Sequence, residues 1–283
     1  MIISELMGGL GNQMFQYAFA RSLSLKYNIE LKIDLSYLKN RNRNPDFVYR
    51  DYDLNLFNVH EDFEINCDRL FKFKKLLRIK EPNFHYSHSS VNSIEKLIKR
   101  KINIYLQGYW QSPIYFSKYE KQIREDFKFK NNIENSDNKI IKLLHKIKST
   151  SSVMINVRRT DYLKVPLFNI IGLDYINKAK QILESKIQNP HYYIFSDDIA
   201  WCEENLKSHN FTIVDHSYKG DKFGYYLQLM SRCEHFIIPN STFAWWSAWL
   251  NINKNKIVIA PKQWFTDINF NTKDLIPSDW ITI

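Results

Sequence analysis

The sequence predicts an α/β protein built as two Rossmann-like domains facing each other across a cleft, and three observations carry that expectation. Strand-sized apolar runs alternate with longer helical patterns, the order that βαβ units and a mostly parallel sheet require. Two such series can be followed, and each opens with a strand that runs into a Gly- or Arg-rich loop. The length of 283 residues suits about two domains at roughly 150 residues each, with cores that need no covalent staples.

The first series begins with a strand at residues 2–6 (IISEL) and a turn at 8–11 (GGLG). A helix over 12–27 follows, where Phe15, Phe19 and Leu23 recur at i, i+4 and i+8 on one face. A second strand lies at 31–35. Residues 40–100 mix aromatics, Asn and charges without a sustained period, so no element is assigned there. A strand returns at 102–110, and a helix is expected to start near Ser112 and Pro113, since proline suits a first helical position. The polar, Asn-rich stretch 131–139 marks a boundary that divides the chain into domains of 1–138 and 139–283. After a helical 140–148 the second series is regular. Its strands fall at 153–157, 191–195, 211–215, 235–238 and 256–260, with helices at 174–187, 198–207, 221–232 and 241–250 between them.

Forty Lys and Arg against thirty Asp and Glu give a formal charge of +10, with basic clusters at 72–80 and 96–101. Basic residues interleaved with aromatics suit nucleic acid, and surface Lys and Arg gain about 1 kcal/mol each near an anionic leaflet. A solvated face in a Lys-, Asn- and Ile-rich chain is the third reading. The solvated face and an anionic membrane surface rank ahead of nucleic acid, which is not expected as a partner. Cys67, Cys202 and Cys233 lie far apart with no C-x-x-C pairing, which argues for reduced thiols rather than a disulfide framework or a zinc site. The start MIISELMGGLGNQMF lacks a secretory pattern, and no apolar run approaches the ~20 residues of a spanning helix. A soluble, cytoplasmic protein is expected.

Open α/β sheets bind ligands at the carboxyl ends of their strands, and the loops there carry the candidate chemistry. Arg158 and Arg159 follow a buried strand, a costly place for charge unless a ligand or a partner meets it. The planar fork of arginine suits bidentate phosphate recognition. An ion pair of Arg158 or Arg159 with Asp161 explains the same residues without a ligand. Ser196, Asp197 and Asp198 stand at a strand-to-helix junction, where they suit N-capping; one carboxylate can cap while the other accepts hydrogen bonds from a guanine edge. Asn240, Ser241 and Thr242 repeat that geometry, with backbone N–H groups able to hold an anion. Trp245, Trp246 and Trp249 share a helical face and read as core rather than as a sugar platform. Gly8, Gly9 and Gly11 make a tight turn but not the G-x-G-x-x-G of a dinucleotide site. Asp51 and Asp53 have the D-x-D form of metal–nucleotide sites without a preceding strand, and the eight histidines lack metal-ligand spacing. Neither a metal nor another cofactor is expected.

Together these loops resemble the α-1,2-fucosyltransferase family of bacteria and animals. Residues 8–18 (GGLGNQMFQYA) are similar to its N-terminal motif, 156–162 (NVRRTDY) to its H-x-R-R-x-D-Y motif, and 229–250 to its C-terminal signature. Segments 52–59 and 108–116 match intervening stretches. Asn156 stands where the motif usually has His, and Thr160 where it usually has Gly. The resemblance implies a GT-B type fold, GDP-β-L-fucose as co-substrate, and inverting, metal-independent transfer to the 2-hydroxyl of a terminal galactose, as in O-antigen synthesis. It places the acceptor on the N-terminal domain and GDP-fucose on the C-terminal one.

The same resemblance makes Arg158 the grip on the donor pyrophosphate, with Asn156, Ser196, Asn240, Ser241, Thr242 and Phe243 around the donor. Gly9, Gly11, Asn12 and Gln13 become ligand-facing positions of the first domain, and one of Asp197 and Asp198 meets the guanine. A fixed cation such as Arg158 would stabilise charge growing on the leaving diphosphate. Asp161 is the carboxylate placed to act as a base, or else to orient an arginine.

Overall fold

The computed structural model describes residues 1–42, 48–64, 76–80, 88–168, 171–267, 272 and 274–283. Contacts divide the chain into two units, Met1–Lys130 with Asn269–Pro277, and Asn131–Ile268 with Ser278–Ile283.

In the first unit β1 (Ile2–Glu5) leads into α1 (Leu10–Tyr27), β2 (Leu31–Asp34) and a short α2 (Ser36–Lys39). There follow β3 (Phe63–Glu64), β4 (Leu76–Lys80), α3 (His88–Lys99), β5 (Asn103–Gln107) and α4 (Glu120–Asp126). The strands pair in the order β3-β2-β1-β5-β4, all parallel. The expected 12–27 helix starts two residues earlier, with Gly9 in the capping position and Gly11 inside its first turn. Phe15, Phe19 and Leu23 are buried as their spacing predicts, but α1 is buried nearly all round. Phe15 lies against Phe116, and Phe19 stacks on Trp110 at 4.6 Å.

The stretch 40–100, unassigned from sequence, holds β3, β4 and α3. A two-residue strand and a strand at the sheet edge carry too little periodicity to be read. Near Pro113 the structure has two 3₁₀ turns, Pro113–Tyr115, capped by the Ser112 side chain, and Ser117–Tyr119, and the α-helix is delayed to Glu120.

The second unit opens with α5 (Asn138–Lys148), capped by Asp137, which accepts from the backbone N–H of Ile140 at 3.0 Å. Then come β6 (Ser152–Val157), α6 (Leu173–Glu184), β7 (His191–Ser196), α7 (Ile199–Asn205) and β8 (Phe211–Val214). The unit ends with α8 (Gly224–Ser231), β9 (His235–Ile237), α9 (Thr242–Leu250), β10 (Val258–Ala260) and β11 (Ile281–Thr282). Its parallel sheet runs β11-β10-β9-β6-β7-β8. All five strands and four helices expected from residue 153 onward are present.

β6 and β7 are nearly continuous apolar runs because both faces of the sheet are covered. Val153, Ile155, Ile176, Leu183 and Ile194 meet in the core beneath them. α9 is buried on every side from Ala244 to Trp249, so its tryptophans fill the core around the helix rather than along one face. The expected 221–232 helix is broken at its start, where Lys222 and Phe223 adopt left-handed backbone conformations and α8 begins at Gly224.

Cys202 and Cys233 are buried and free, and Cys67 lies outside the described residues. Among the described residues no helix is long and apolar enough to cross a membrane.

Candidate active site

After β6 the chain continues to β7 and β8 on one side of the second sheet, while β9, β10 and β11 lie on the other. The crevice where strand order reverses, here between β6 and β9, is where open α/β sheets take their ligands. The loops that follow β6 and β9 therefore carry the candidate site: Arg158 and its neighbours on one, Asn240 to Phe243 on the other.

The sheet register builds the arginine's surroundings. Val157 pairs with Ser196, so Arg158 and Asp197 emerge side by side one residue later. The Arg158 guanidinium pairs with Asp197 at 3.2 Å through Nη1 and with Asp161 through Nη2. The ring of Tyr162 lies 5.5 Å from it. Burial alone would lower the pKa of Arg158, but the carboxylates of Asp197 and Asp161 outweigh that and hold it above its ordinary value. The ion pair read as an alternative in sequence is thus real, and Arg159 pairs instead with Asp198 at 3.3 Å while lying over Trp201.

Asp197 ties the two loops together. Its Oδ1 accepts from the Arg159 backbone N–H at 2.9 Å, and its Oδ2 from the Thr160 hydroxyl at 2.6 Å. Asp198 caps α7 by accepting from the Trp201 backbone N–H at 3.1 Å, and its own N–H donates to the Ser196 hydroxyl. Asn156 donates its amide to the Phe195 carbonyl at 2.9 Å, a bridge between β6 and β7.

Across the switch point the Tyr162 hydroxyl donates to the Asn240 carbonyl at 2.9 Å, and its ring stacks on Phe168 at 4.3 Å. The Asn240 amide donates to the Trp264 carbonyl, while its buried Oδ1 has no hydrogen-bond partner among the described residues. Ser241 occupies the capping position of α9, with Thr242 and Phe243 opening its first turn. The structure thus gathers Asn156, Arg158, Asp161, Ser196, Asp197 and Asp198 at one sheet edge, with Asn240 joined through Tyr162. Sequence reasoning passed over Thr160 as a contact of Asp197 and Tyr162 as the link to Asn240. The motif position of Tyr162 was the available signal.

Gly9, Gly11, Asn12 and Gln13 belong to the first unit. Gly8 turns the chain at φ +74°, where a Cβ would stand 2.5 Å from the Asn12 side-chain nitrogen. The Asn12 oxygen accepts from the Gln111 amide at 2.8 Å. Gln13 is fully buried, and its amide serves the fold. It donates to the carbonyls of Gly8 and Asp51 and accepts from the Asp53 backbone N–H. We expect Gly8→Ala to cost roughly 1–3 kcal/mol, because it adds left-handed strain to a steric clash. The measurement is the apparent Tm, and an unchanged Tm would mean that Asn12 swings aside at no cost.

The first sheet has its own polar cluster at the carboxyl ends of β1, β2 and β5, and sequence reading gave no sign of it. The Tyr105 hydroxyl lies 2.6 Å from Asp34 and 3.0 Å from Glu5, and Gln107 donates to Glu5 at 2.7 Å. Burial first, and then these carboxylates, raise the pKa of Tyr105 far above its ordinary value. Among the described residues no three His, Cys, Asp or Glu side chains gather as a metal-ligand set.

Two parallel α/β units of this construction match the GT-B fold. The crystal structure of the fucosyltransferase NodZ from Bradyrhizobium superposes with a TM-score of 0.52 at 14% identity, covering 88% of this chain and 91% of that one. The chain belongs to glycosyl transferase family 11, whose model matches residues 1–283. It is 32% identical to an Escherichia coli α-1,2-colitosyltransferase over 308 residues, covering 100% of this chain and 98% of the relative. It is 30% identical to the E. coli O-antigen biosynthesis glycosyltransferase WbnK over 312 residues, covering 99% of each. A rat galactoside α-(1,2)-fucosyltransferase 1 matches at 26% over 154 residues, 51% of this chain and 41% of that protein.

Proposed function

We propose that this glycosyltransferase moves L-fucose from GDP-β-L-fucose to the 2-hydroxyl of a terminal β-galactose, with inversion and without a metal, in the synthesis of a bacterial O-antigen. The observation that carries the reading is Arg158 at the switch point, held between Asp161 and Asp197 with its charge secured. Likeness to an α-1,2-colitosyltransferase over the whole chain supports the linkage, and likeness to WbnK supports the O-antigen setting. Residues 139–283 hold the donor, and 1–138 form the acceptor side.

The acceptor hydroxyl attacks the anomeric carbon from the face opposite the diphosphate. The bond from that carbon to the phosphate oxygen breaks, and its electron pair leaves with GDP. Arg158 meets the growing negative charge, and backbone N–H groups at the start of α9 assist. The hydroxyl proton passes to a base or to water. Asp161 already gives an oxygen to Arg158, which favours the orienting role over the basic one. Exposed Lys96, Lys99, Arg100 and Lys101, on and just beyond α3, suit contact with an anionic inner membrane face from the cytoplasm.

Likeness to the E. coli α-1,2-colitosyltransferase favours a second reading on the donor: colitose, L-fucose without its 3-hydroxyl. One assay addresses both, measuring GDP release from GDP-fucose and GDP-colitose with and without a β-galactoside, in excess EDTA. Acceptor-dependent release from GDP-fucose at undiminished rate is expected. Preference for GDP-colitose would move the donor assignment, and loss in EDTA with rescue by Mg²⁺ or Mn²⁺ would sink the metal-free mechanism.

A further inference from the structure

The donor reading gives the diphosphate a partner in Arg158 but leaves the base without one. Both carboxylates that the sequence offered to guanine are engaged. Asp197 serves Arg158, Arg159 and Thr160, and Asp198 serves Trp201 and Arg159. Further along the same edge, at the carboxyl ends of β7 and β8, stands an aromatic cluster that the mechanism does not use.

His216, just past β8, has its Nε2 2.9 Å from the carbonyl of Ser196, the last residue of β7. Its ring meets Phe223 edge to face at 5.8 Å, and Phe223 meets Tyr226 at 5.6 Å. Tyr226 is itself anchored, donating its hydroxyl to the Val214 carbonyl and packing against Phe195 at 5.2 Å. Supported in this way, Phe223 is still 39% exposed. The exposed Lys219 lies over it at 5.5 Å, a flexible cover that another flat or cationic group can replace.

The backbone that presents this ring is strained. Lys222 (φ 46°, ψ 31°) and Phe223 (φ 61°, ψ 22°) are consecutive left-handed residues, each costing about 1–2 kcal/mol for a residue with a side chain. Gly220, at φ +64°, passes so close to Tyr225 that a Cβ would meet its ring at 2.6 Å. Strain spent on holding a phenylalanine partly in water gains nothing for the core, and strain of this kind collects at ligand sites.

The position suits a base. Strands lie about 4.8 Å apart, so the ends of β6 and β8 are separated by roughly 10 Å. That is the scale on which a nucleotide extends from its diphosphate to its base. We propose that Phe223, steadied by His216 and Tyr226, is the stacking platform for the purine of the nucleoside diphosphate sugar. This rests on the donor reading above and adds to it the residue that holds the base.

The test compares GDP with inorganic pyrophosphate by calorimetry on the full chain. In Phe223→Ala the Kd for GDP should rise roughly 5–150-fold, since a base–aromatic stack contributes about 1–3 kcal/mol. Pyrophosphate affinity and the unliganded Tm should hold, and Phe223→Tyr should bind GDP within about twofold of the parent. Unchanged GDP affinity in Phe223→Ala would overturn the assignment alone. So would equal losses for GDP and pyrophosphate, which would mark collapse of the loop. If the parent chain binds pyrophosphate but not GDP, the donor reading fails and the platform fails with it.

Discussion

Replacing Arg158 with lysine is expected to slow transfer by about 10²–10³-fold while leaving the chain folded. The size of the effect follows from geometry. One guanidinium uses separate nitrogens for Asp161 and Asp197, and its planar fork leaves further N–H donors for the two phosphates of a diphosphate. A lysine ammonium keeps the charge but concentrates it on one nitrogen, which cannot span both carboxylates and present a flat face to the ligand. Because the interaction strengthens as the leaving group gains charge, kcat should fall more than the KM for donor rises. The measurement is steady-state GDP release, with Tm as the check on folding. Near-normal turnover in Arg158→Lys would remove this residue from the reaction.

Much of this arrangement could be read from sequence, and the unreadable parts have identifiable causes. The second unit's strands were legible because β6 and β7 are buried on both faces and so appear as nearly continuous apolar runs between helical segments. The Arg158–Asp161 pair was legible because its members stand three residues apart. Arg158–Asp197 was not, because it depends on Val157 and Ser196 being in register across two strands, which no local pattern encodes. Gln13 illustrates the opposite case. Its motif position suggested a ligand contact, yet its amide is spent on the backbone of residues 8, 51 and 53. The Phe223 platform was hidden by a kink: residues 221–232 carry a helical pattern, and neither Lys222 nor Phe223 is of a type that announces left-handed backbone.

Fucosylation should disappear altogether when the acceptor galactose lacks its 2-hydroxyl. If that oxygen is the nucleophile, lactose or a galactosyl-N-acetylhexosamine should accept the sugar, whereas the 2-deoxy-galactose analogue has no atom to form the new bond. Binding should weaken as well, because a site that hydrogen-bonds this hydroxyl is left with unpaired polar groups, a penalty of about 1–3 kcal/mol or roughly 5–150-fold in affinity. Linkages through the 3-, 4- or 6-hydroxyl predict continued turnover of the deoxy compound, so the comparison separates linkage from donor. Asn156 and Thr160 make the comparison informative. Both depart from the family motif, and both are bound into the protein, Asn156 to the Phe195 carbonyl and Thr160 to Asp197. In this chain those side chains brace the arginine loop. Product formation from the 2-deoxy acceptor at the parent rate would sink the α-1,2 assignment and leave the donor assignment standing.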